Sequence, residues 1–316
     1  VTTPTVRQIL CASDLSPASE PAWVMAQRLG RLFGADVLLL HVIPPVPMPM
    51  EGYLPPRMYQ ELVTGAHAQA EASLAAVAAG VAGPPPKVRS RVVEGSPAAR
   101  IVDVAAEEGA DLIVVGTHGR TGLDRVFLGS VADRVLRTAR CPVVTVGALP
   151  AGTTPAAGVG RILYATDFSP VARAAWPWVL ALAGASGAAV DLLHVAAQPV
   201  PDRHLSPETL GQMATLLKEQ AELEAERFLQ DAGRTWPGRL PRERVTVLVG
   251  HGVIGEQVSR TAQQRRADLI VMGTQGWTGL LRWMLGSVAQ HVIQTAPCPV
   301  LTVSPKGAGK EPTHEN

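Results

Sequence analysis

The sequence predicts two tandem α/β units, each a five-stranded parallel sheet covered by helices on both faces. Three observations carry this. First, the chain is written twice: "ILCASDLSPASEPAW" (9–23) returns as "ILYATDFSPVARAAW" (162–176), and "ADLIVVGTHGRTGLDRVFLGSVADRVLRTARCPVVTV" (110–146) returns as "ADLIVMGTQGWTGLLRWMLGSVAQHVIQTAPCPVLTV" (267–303). Second, continuously apolar runs alternate with helix-like segments, the pattern of parallel strands buried on both faces. Third, 316 residues is the length of about two ordinary domains. The offset between copies slips from 153 to 157 in mid-unit, and a repeat this long is a domain rather than a solenoid turn. The expected division is a first domain at 1–147, a Gly/Pro/Thr/Ala linker at 148–160, a second domain at 161–304 and a polar tail at 305–316.

The elements follow in order. In the first copy the apolar run Val6 to Ala12 is a strand ending at Ser13-Asp14. Ser16 supplies an N-cap and Pro17 a first-turn proline for a helix to about Phe33. "ADVLLLHVI" (35–43) is the second strand, and a Pro-rich loop, Pro44 to Pro56, leads into an Ala/Glu-rich helix ending near Gly83. "KVRSRVV" is the third strand, and Ser96-Pro97 opens the next helix. "DLIVVG" is the fourth, Gly129-Ser130 opens the last helix, and "PVVTVG" is the fifth. In the second copy the charge-free stretch Ala174 to Val190 falls short of the roughly 20 residues a membrane helix needs. Gly184, Ser186 and Gly187 break it, so it reads as buried helix, turn and strand start.

Composition narrows the function classes. Hydrophobic residues make up 47%, charged residues 17% and aromatics 4%, as in a globular protein with an aliphatic core. A net charge of +1 without a polybasic block gives no footprint for nucleic acid. Cys11, Cys141 and Cys298 form neither a disulfide framework nor a C-x-x-C metal pair, which fits a reducing, cytoplasmic setting. No secretory signal and no membrane partner are expected.

Two glycine patterns compete for a ligand. Gly250, Gly252 and Gly255 match G-x-G-x-x-G, a weak dinucleotide fingerprint by itself. Their twins are Val93, Gly95 and Ala98, so the other copy keeps one glycine of three. The pattern also follows the third strand of its unit, whereas a dinucleotide turn follows the first. A structural turn is the expected reading, with Gly252 letting strand and helix approach. The second pattern is kept in both copies: Gly116-x2-Gly119-x9-Gly129-Ser130 and Gly273-x2-Gly276-x9-Gly286-Ser287. Glycines at a strand's end let backbone N–H groups approach a ligand, and the Gly-Ser pair opens a helix whose N-terminus favours an anion. The serine hydroxyl either caps that helix or meets a phosphate oxygen; the spacing kept twice favours phosphate.

"T-D-F-S-P" after the first strand together with G-x2-G-x9-G-S before the last helix resembles the universal stress protein family, in a tandem member of its ATP-binding kind. The resemblance implies a Rossmann-like fold of the adenine-nucleotide alpha-hydrolase type, strand order 3-2-1-4-5, whose topological switch lies between strands 1 and 4. Ligands bind at such a switch beyond the strands' carboxyl ends. By resemblance, Asp14 and Asp167 would accept hydrogen bonds from ribose hydroxyls or hold a phosphate-bound Mg2+. Val42 and Val195 would meet adenine through backbone groups, and Gly116 and Gly273 would line the ribose. Gly119, Gly129, Ser130 and Val131, with Gly276, Gly286, Ser287 and Val288, would hold the triphosphate of ATP. Arg120 has a phosphate-pairing guanidinium where the second copy has Trp277, so a weaker or different second site is expected. Arg125 and Arg282 are equivalent and either assist or flank the helix.

His41 and His194 recur at the end of strand 2 with no ligand partner at metal spacing, and read as structural; no metal site is expected. Cys141 and Cys298 read as small buried residues, and Trp23 and Trp176 as core. The leading expectation is a non-catalytic ATP-binding stress-response protein with one site per domain. A slow ATPase or phosphotransferase is the alternative, against which the absent G-x4-G-K-[ST] loop counts. A ligand-free dimerising scaffold is the third. The family's habit of pairing through fifth strands implies an intramolecular pseudo-dimer of the two domains, and a homo-oligomer of chains.

Overall fold

A computed structural model describes residues 3–45, 56–79, 87–117, 128–147, 158–196, 206–275 and 285–304. The chain divides into two compact units, one of residues 5–155 and one of residues 156–316 together with 1–4. In the first unit β1 (Gln8–Ala12), β2 (Asp36–Ile43), β3 (Val88–Glu94), β4 (Leu112–Gly116) and β5 (Val143–Val146) alternate with α1 (Glu20–Phe33), α2 (Pro56–Ala79), α3 (Pro97–Glu107) and α4 (Ser130–Thr138). The second unit's strands are β6 (Arg161–Ala165), β7 (Ala189–Ala196), β8 (Val245–His251), β9 (Leu269–Gly273) and β10 (Val300–Val303). Its helices are α5 (Pro170–Arg173), α6 (Trp176–Ser186), α7 (Pro207–Thr235), α8 (Ile254–Arg265) and α9 (Ser287–Thr295).

Within each unit the strands pair parallel, in the order β3-β2-β1-β4-β5 in the first and β8-β7-β6-β9-β10 in the second. Successive residues of the central strands, Ile9, Leu10 and Cys11 or Leu112, Ile113 and Val114, are all buried. A strand buried on alternate and intervening residues alike has helices on both faces, which is why these runs carry no polar alternation. Trp23 and Trp176 are buried in their units' cores. The slip in repeat offset falls between the second and third strands of each unit, where α7 runs 29 residues and α2 runs 24.

The helix expected from Ser16 to Phe33 is interrupted. Pro17–Ser19 form a 3-10 turn, and α1 begins at Glu20, which donates its backbone N–H to Pro17 O. Pro21 has no N–H to return to the Pro17 carbonyl, so the tighter i→i+3 bond takes its place. Its end is as expected: Gly34, at φ 66°, takes the left-handed cap. The Ala174–Val190 stretch resolves as α6, a left-handed cap at Gly187 (φ 75°) and the start of β7. No helix among the described residues is long and apolar enough to cross a membrane.

One carboxylate per unit clamps the central strands. Asp111 Oδ2 accepts the N–H groups of Arg7 at 2.7 Å and Gln8 at 3.1 Å, and Asp268 Oδ2 those of Gly160 at 2.8 Å and Arg161 at 2.9 Å. These bonds tie the start of the fourth strand to the start of the first, which fixes the strand pair that carries the candidate site at its other end. The "ADL" repeated in both copies marks these aspartates but not their partners.

The cysteines are shielded to different degrees. Cys11 is fully buried, and burial pushes its thiol far above the ordinary range. Cys141 and Cys298 are partly exposed rather than fully buried, yet desolvation, reinforced by the Asp111 and Asp268 carboxylates, pushes both up to about 12. At pH 8 only about one in ten thousand of those two thiols is ionised, and the thiolate is the reactive form. Native protein at pH 8 is therefore expected to react with DTNB far more slowly than a free thiol, and the urea-unfolded chain to release three equivalents promptly. Fast native-state labelling of any cysteine would contradict this packing.

Candidate functional site

The site is built where the outer ends of the first and fourth strands of each unit lie side by side. Ala12 pairs with Val115, and Ala165 with Met272. Asp14 and Asp167 therefore leave the sheet next to Gly116-Thr117 and Gly273-Thr274. Thr117 O accepts the N–H of Gly129 at 2.7 Å, and Thr274 O that of Gly286 at 2.8 Å. Each bond pins the start of the last helix to the end of the fourth strand. Asp14, Gly116, Gly129, Ser130 and Val131 thus converge, as do Asp167, Gly273, Gly286, Ser287 and Val288. Gly119, Gly276, Arg120, Trp277, Arg125 and Arg282 lie outside the described residues.

Each aspartate sits in a constrained turn. Asp14 Oδ1 accepts the Ser16 N–H at 3.0 Å and the Ser16 hydroxyl at 2.6 Å; Asp167 Oδ1 accepts the Ser169 N–H at 3.0 Å. The residue between, Leu15 at φ 62° or Phe168 at φ 58°, takes the left-handed region without being glycine. Such a backbone costs about 1–2 kcal/mol and persists where its surroundings hold it, commonly at binding sites. His41 Nδ1 lies 2.8 Å from Ser13 O and His194 Nδ1 lies 2.9 Å from Thr166 O. A carbonyl only accepts, so Nδ1 carries the proton and each histidine ties the end of the second strand to this turn. That is the structural role the sequence suggested for them.

Val42 and Val195 present their backbone to the same space. Leu40 O accepts the Ser13 N–H at 2.9 Å and Leu193 O the Thr166 N–H at 3.0 Å, so those residues point toward the first strand of their unit. Two residues on, Val42 and Val195 point the same way, but the neighbouring strand has ended. Their N–H and C=O groups face the crevice beyond Ala12 and Ala165.

The glycines turn out to serve different ends. Gly129 and Gly286 hold the cap position at φ −59° and −63°, ordinary values, and Ser130 and Ser287 are exposed first residues of α4 and α9. Glycine is needed for space: a Cβ on either would stand 3.0 Å from the Thr117 or Thr274 carbonyl oxygen. A glycine at the cap has no side chain to offer, so the first-turn N–H groups of α4 and α9 have no partner from their own cap residue. Gly273 is buried, and a Cβ there would meet Ala172 N at 3.1 Å, so its missing side chain admits α5. In the rejected fingerprint Gly252 (φ 109°) and its twin Gly95 (φ 134°) do need left-handed freedom. Gly255 is required because a Cβ would fall 2.6 Å from His291 Cδ2. That pattern runs from the end of β8 into α8, at the outer edge of the unit's sheet and away from the switch between β6 and β9.

The sequence model of the universal stress protein family matches residues 5–147 and again 158–304. The chain belongs to the universal stress protein family, as two tandem repeats. A universal stress protein of Mycolicibacterium smegmatis is 29% identical over 304 residues, covering 94% of this chain and 97% of that one. The crystal structure of a universal stress protein from Archaeoglobus fulgidus superposes with a TM-score of 0.65 at 20% identity, over 96% of this chain and 97% of that one, and shows the shared Rossmann-like fold. Another universal stress protein was solved in complex with cAMP; it is 24% identical, covers 46% of this chain and 98% of its own, and has a TM-score of 0.30. Among the described residues no group of three or more His, Cys, Asp or Glu is arranged to hold a metal ion by itself.

Proposed function

We propose that each repeat of this universal stress protein binds one adenine nucleotide, with ATP and Mg2+ the preferred form, and that the bound nucleotide regulates a non-catalytic role in the stress response. What carries the reading is a repeated juxtaposition at the topological switch: an aspartate in a left-handed turn beside the uncapped, glycine-started helix that opens α4 or α9. An anion suits the helix start, because its amides and dipole offer hydrogen bonds and positive potential together. Asp14 and Asp167 take the ribose hydroxyls or the phosphate-bound cation. The outward backbone groups of Val42 and Val195 read the adenine edge. Gly116 and Gly273 border the ribose, and Gly129, Ser130 and Val131, with Gly286, Ser287 and Val288, take the phosphates. Gly119 and Gly276 complete the phosphate loop by the same spacing. In this scheme Mg2+ would rest on nucleotide oxygens, with the Asp14 or Asp167 carboxylate beside it.

The test is thermal unfolding with added MgATP. A ligand at about 100 times its dissociation constant stabilises by about 2.7 kcal/mol per site, which for units of this size raises melting by roughly 5–10 °C. Absence of any shift with ATP, ADP or AMP at millimolar concentration would overturn the proposal in favour of a ligand-free scaffold. GTP, CTP and UTP in the same assay are expected to shift melting less, since the Val42 and Val195 backbone groups present one fixed donor–acceptor pattern.

A further inference from the structure

A non-glycine residue in the left-handed region needs something to hold it, and the two units hold theirs differently. Phe168 is 1% exposed. Its ring stacks on His194, with centroids 5.0 Å apart and planes at 24°, and meets Phe228 of α7 at 5.6 Å. Its carbonyl oxygen accepts a 2.8 Å hydrogen bond from Arg173 Nε. The same guanidinium lies over the Phe228 ring, 5.2 Å from its centroid, and Trp176 packs edge-on to that ring at 5.2 Å. Side chain and main chain of Phe168 are thus gripped by one assembly reaching from α5 to the C-terminal half of the long helix α7. In the first unit Leu15 is only half-buried, and an exposed Glu20 stands where the repeat puts Arg173. A carboxylate has no hydrogen to give a carbonyl oxygen. What the two turns share is local: Leu15 N–H donates to Ser13 Oγ at 3.1 Å and Phe168 N–H to Thr166 Oγ1 at 2.9 Å.

We propose that Arg173 and Phe228 are positioning residues of the second repeat's nucleotide site: by clamping Phe168 they hold the adjoining Asp167 carboxylate in its binding position, a dependence the first repeat lacks. The inference rests on the nucleotide reading above. Neither residue is among those placed around the nucleotide; they act through the turn. Without the clamp the turn spends part of its time in other conformations, and affinity falls by the fraction that remains competent.

Two measurements on the full chain test it. In the ligand-free protein, Arg173→Ala is expected to speed amide hydrogen exchange at Phe168 and Ser169 about tenfold while leaving Leu15 and Ser16 unchanged. By calorimetry in an Asp14→Ala background, which isolates the second site, it is expected to weaken ATP binding about tenfold. The same change in an Asp167→Ala background leaves the first site's affinity as it was. Arg173→Lys keeps a cation over Phe228 and a donor for the carbonyl, and recovers most of the loss. Phe228→Leu reproduces the loss. A merely structural role would lower the melting temperature without the site-specific loss and without the lysine rescue. Unchanged exchange, unchanged second-site affinity, or equal weakening at both sites would each overturn the proposal. If the unaltered protein binds no ATP while Arg173→Ala still frees the turn, the nucleotide reading is what has failed, and the positioning role falls with it.

Discussion

Asp191→Ala is expected to cost the second unit about 3 kcal/mol and to lower its melting by about 10 °C, with the first unit's transition unmoved. Asp191 is 0% exposed, at the start of β7. Its carboxylate accepts from Arg265 Nε and a terminal nitrogen at 2.9 and 2.8 Å, and from Arg161 at 3.1 and 3.2 Å. Removing the buried anion leaves two guanidiniums facing a void. The cost falls at the low end for a broken buried pair because Arg161 and Arg265 are 34% and 38% exposed and can turn to water. The first repeat supplies the control. Its equivalents are Gln8, Leu38 and Glu108, and Leu38 is buried at the Asp191 position. Asp191→Leu should therefore stay within about 1 kcal/mol of the parent, since an apolar residue of matching volume replaces a buried ion at little cost. Calorimetric scans of both variants decide it. Equal losses for alanine and leucine would show that charge pairing, not volume, is what this position supplies.

Gly129→Val and Gly286→Val are expected to abolish nucleotide binding in their own repeats, each weakening it by at least about a hundredfold and reducing stoichiometry from two nucleotides per chain to one. The new Cβ would sit 3.0 Å from a backbone carbonyl oxygen that the glycine's own N–H must reach. Backbone cannot yield as a side-chain tip can, so the cap residue moves and takes the first-turn amides with it. Two charge-assisted hydrogen bonds to phosphate, at about 1.5–3 kcal/mol each, account for the magnitude. Gly184→Ala, where a Cβ meets nothing within 4 Å, is the matched control and should leave affinity alone. Unaltered ATP binding by both valine variants would place the phosphates elsewhere.

Much of this was legible in the residues. The repeat announced two copies, and the apolar runs announced parallel strands, because a strand covered on both faces has no position left for a polar side chain. Gly187 was among the residues that marked the end of the second unit's first long helix, for a reason internal to the backbone: only glycine enters the left-handed region freely. Less legible was Pro21, which broke the expected first helix three residues into its run, although its missing N–H was in plain sight. The carboxylates Asp111 and Asp268 were hidden for a different reason. Their partners, Arg7 and Gln8 or Gly160 and Arg161, lie about a hundred residues away.

What the sequence determined by itself was whatever depends on neighbours along the chain: strand and helix periods, capping glycines, the twofold recurrence, and the pairing of an aspartate turn with a glycine-started helix in each copy. Tertiary structure alone decided why those glycines are glycines. Gly129 and Gly286 need no unusual φ; they need room beside the Thr117 or Thr274 carbonyl, a residue more than ten positions away. It also decided that the two aspartate turns are unequal, since Phe228 reaches Phe168 across sixty residues of chain. Contacts between distant segments follow from packing in three dimensions, and one-dimensional spacing does not encode them.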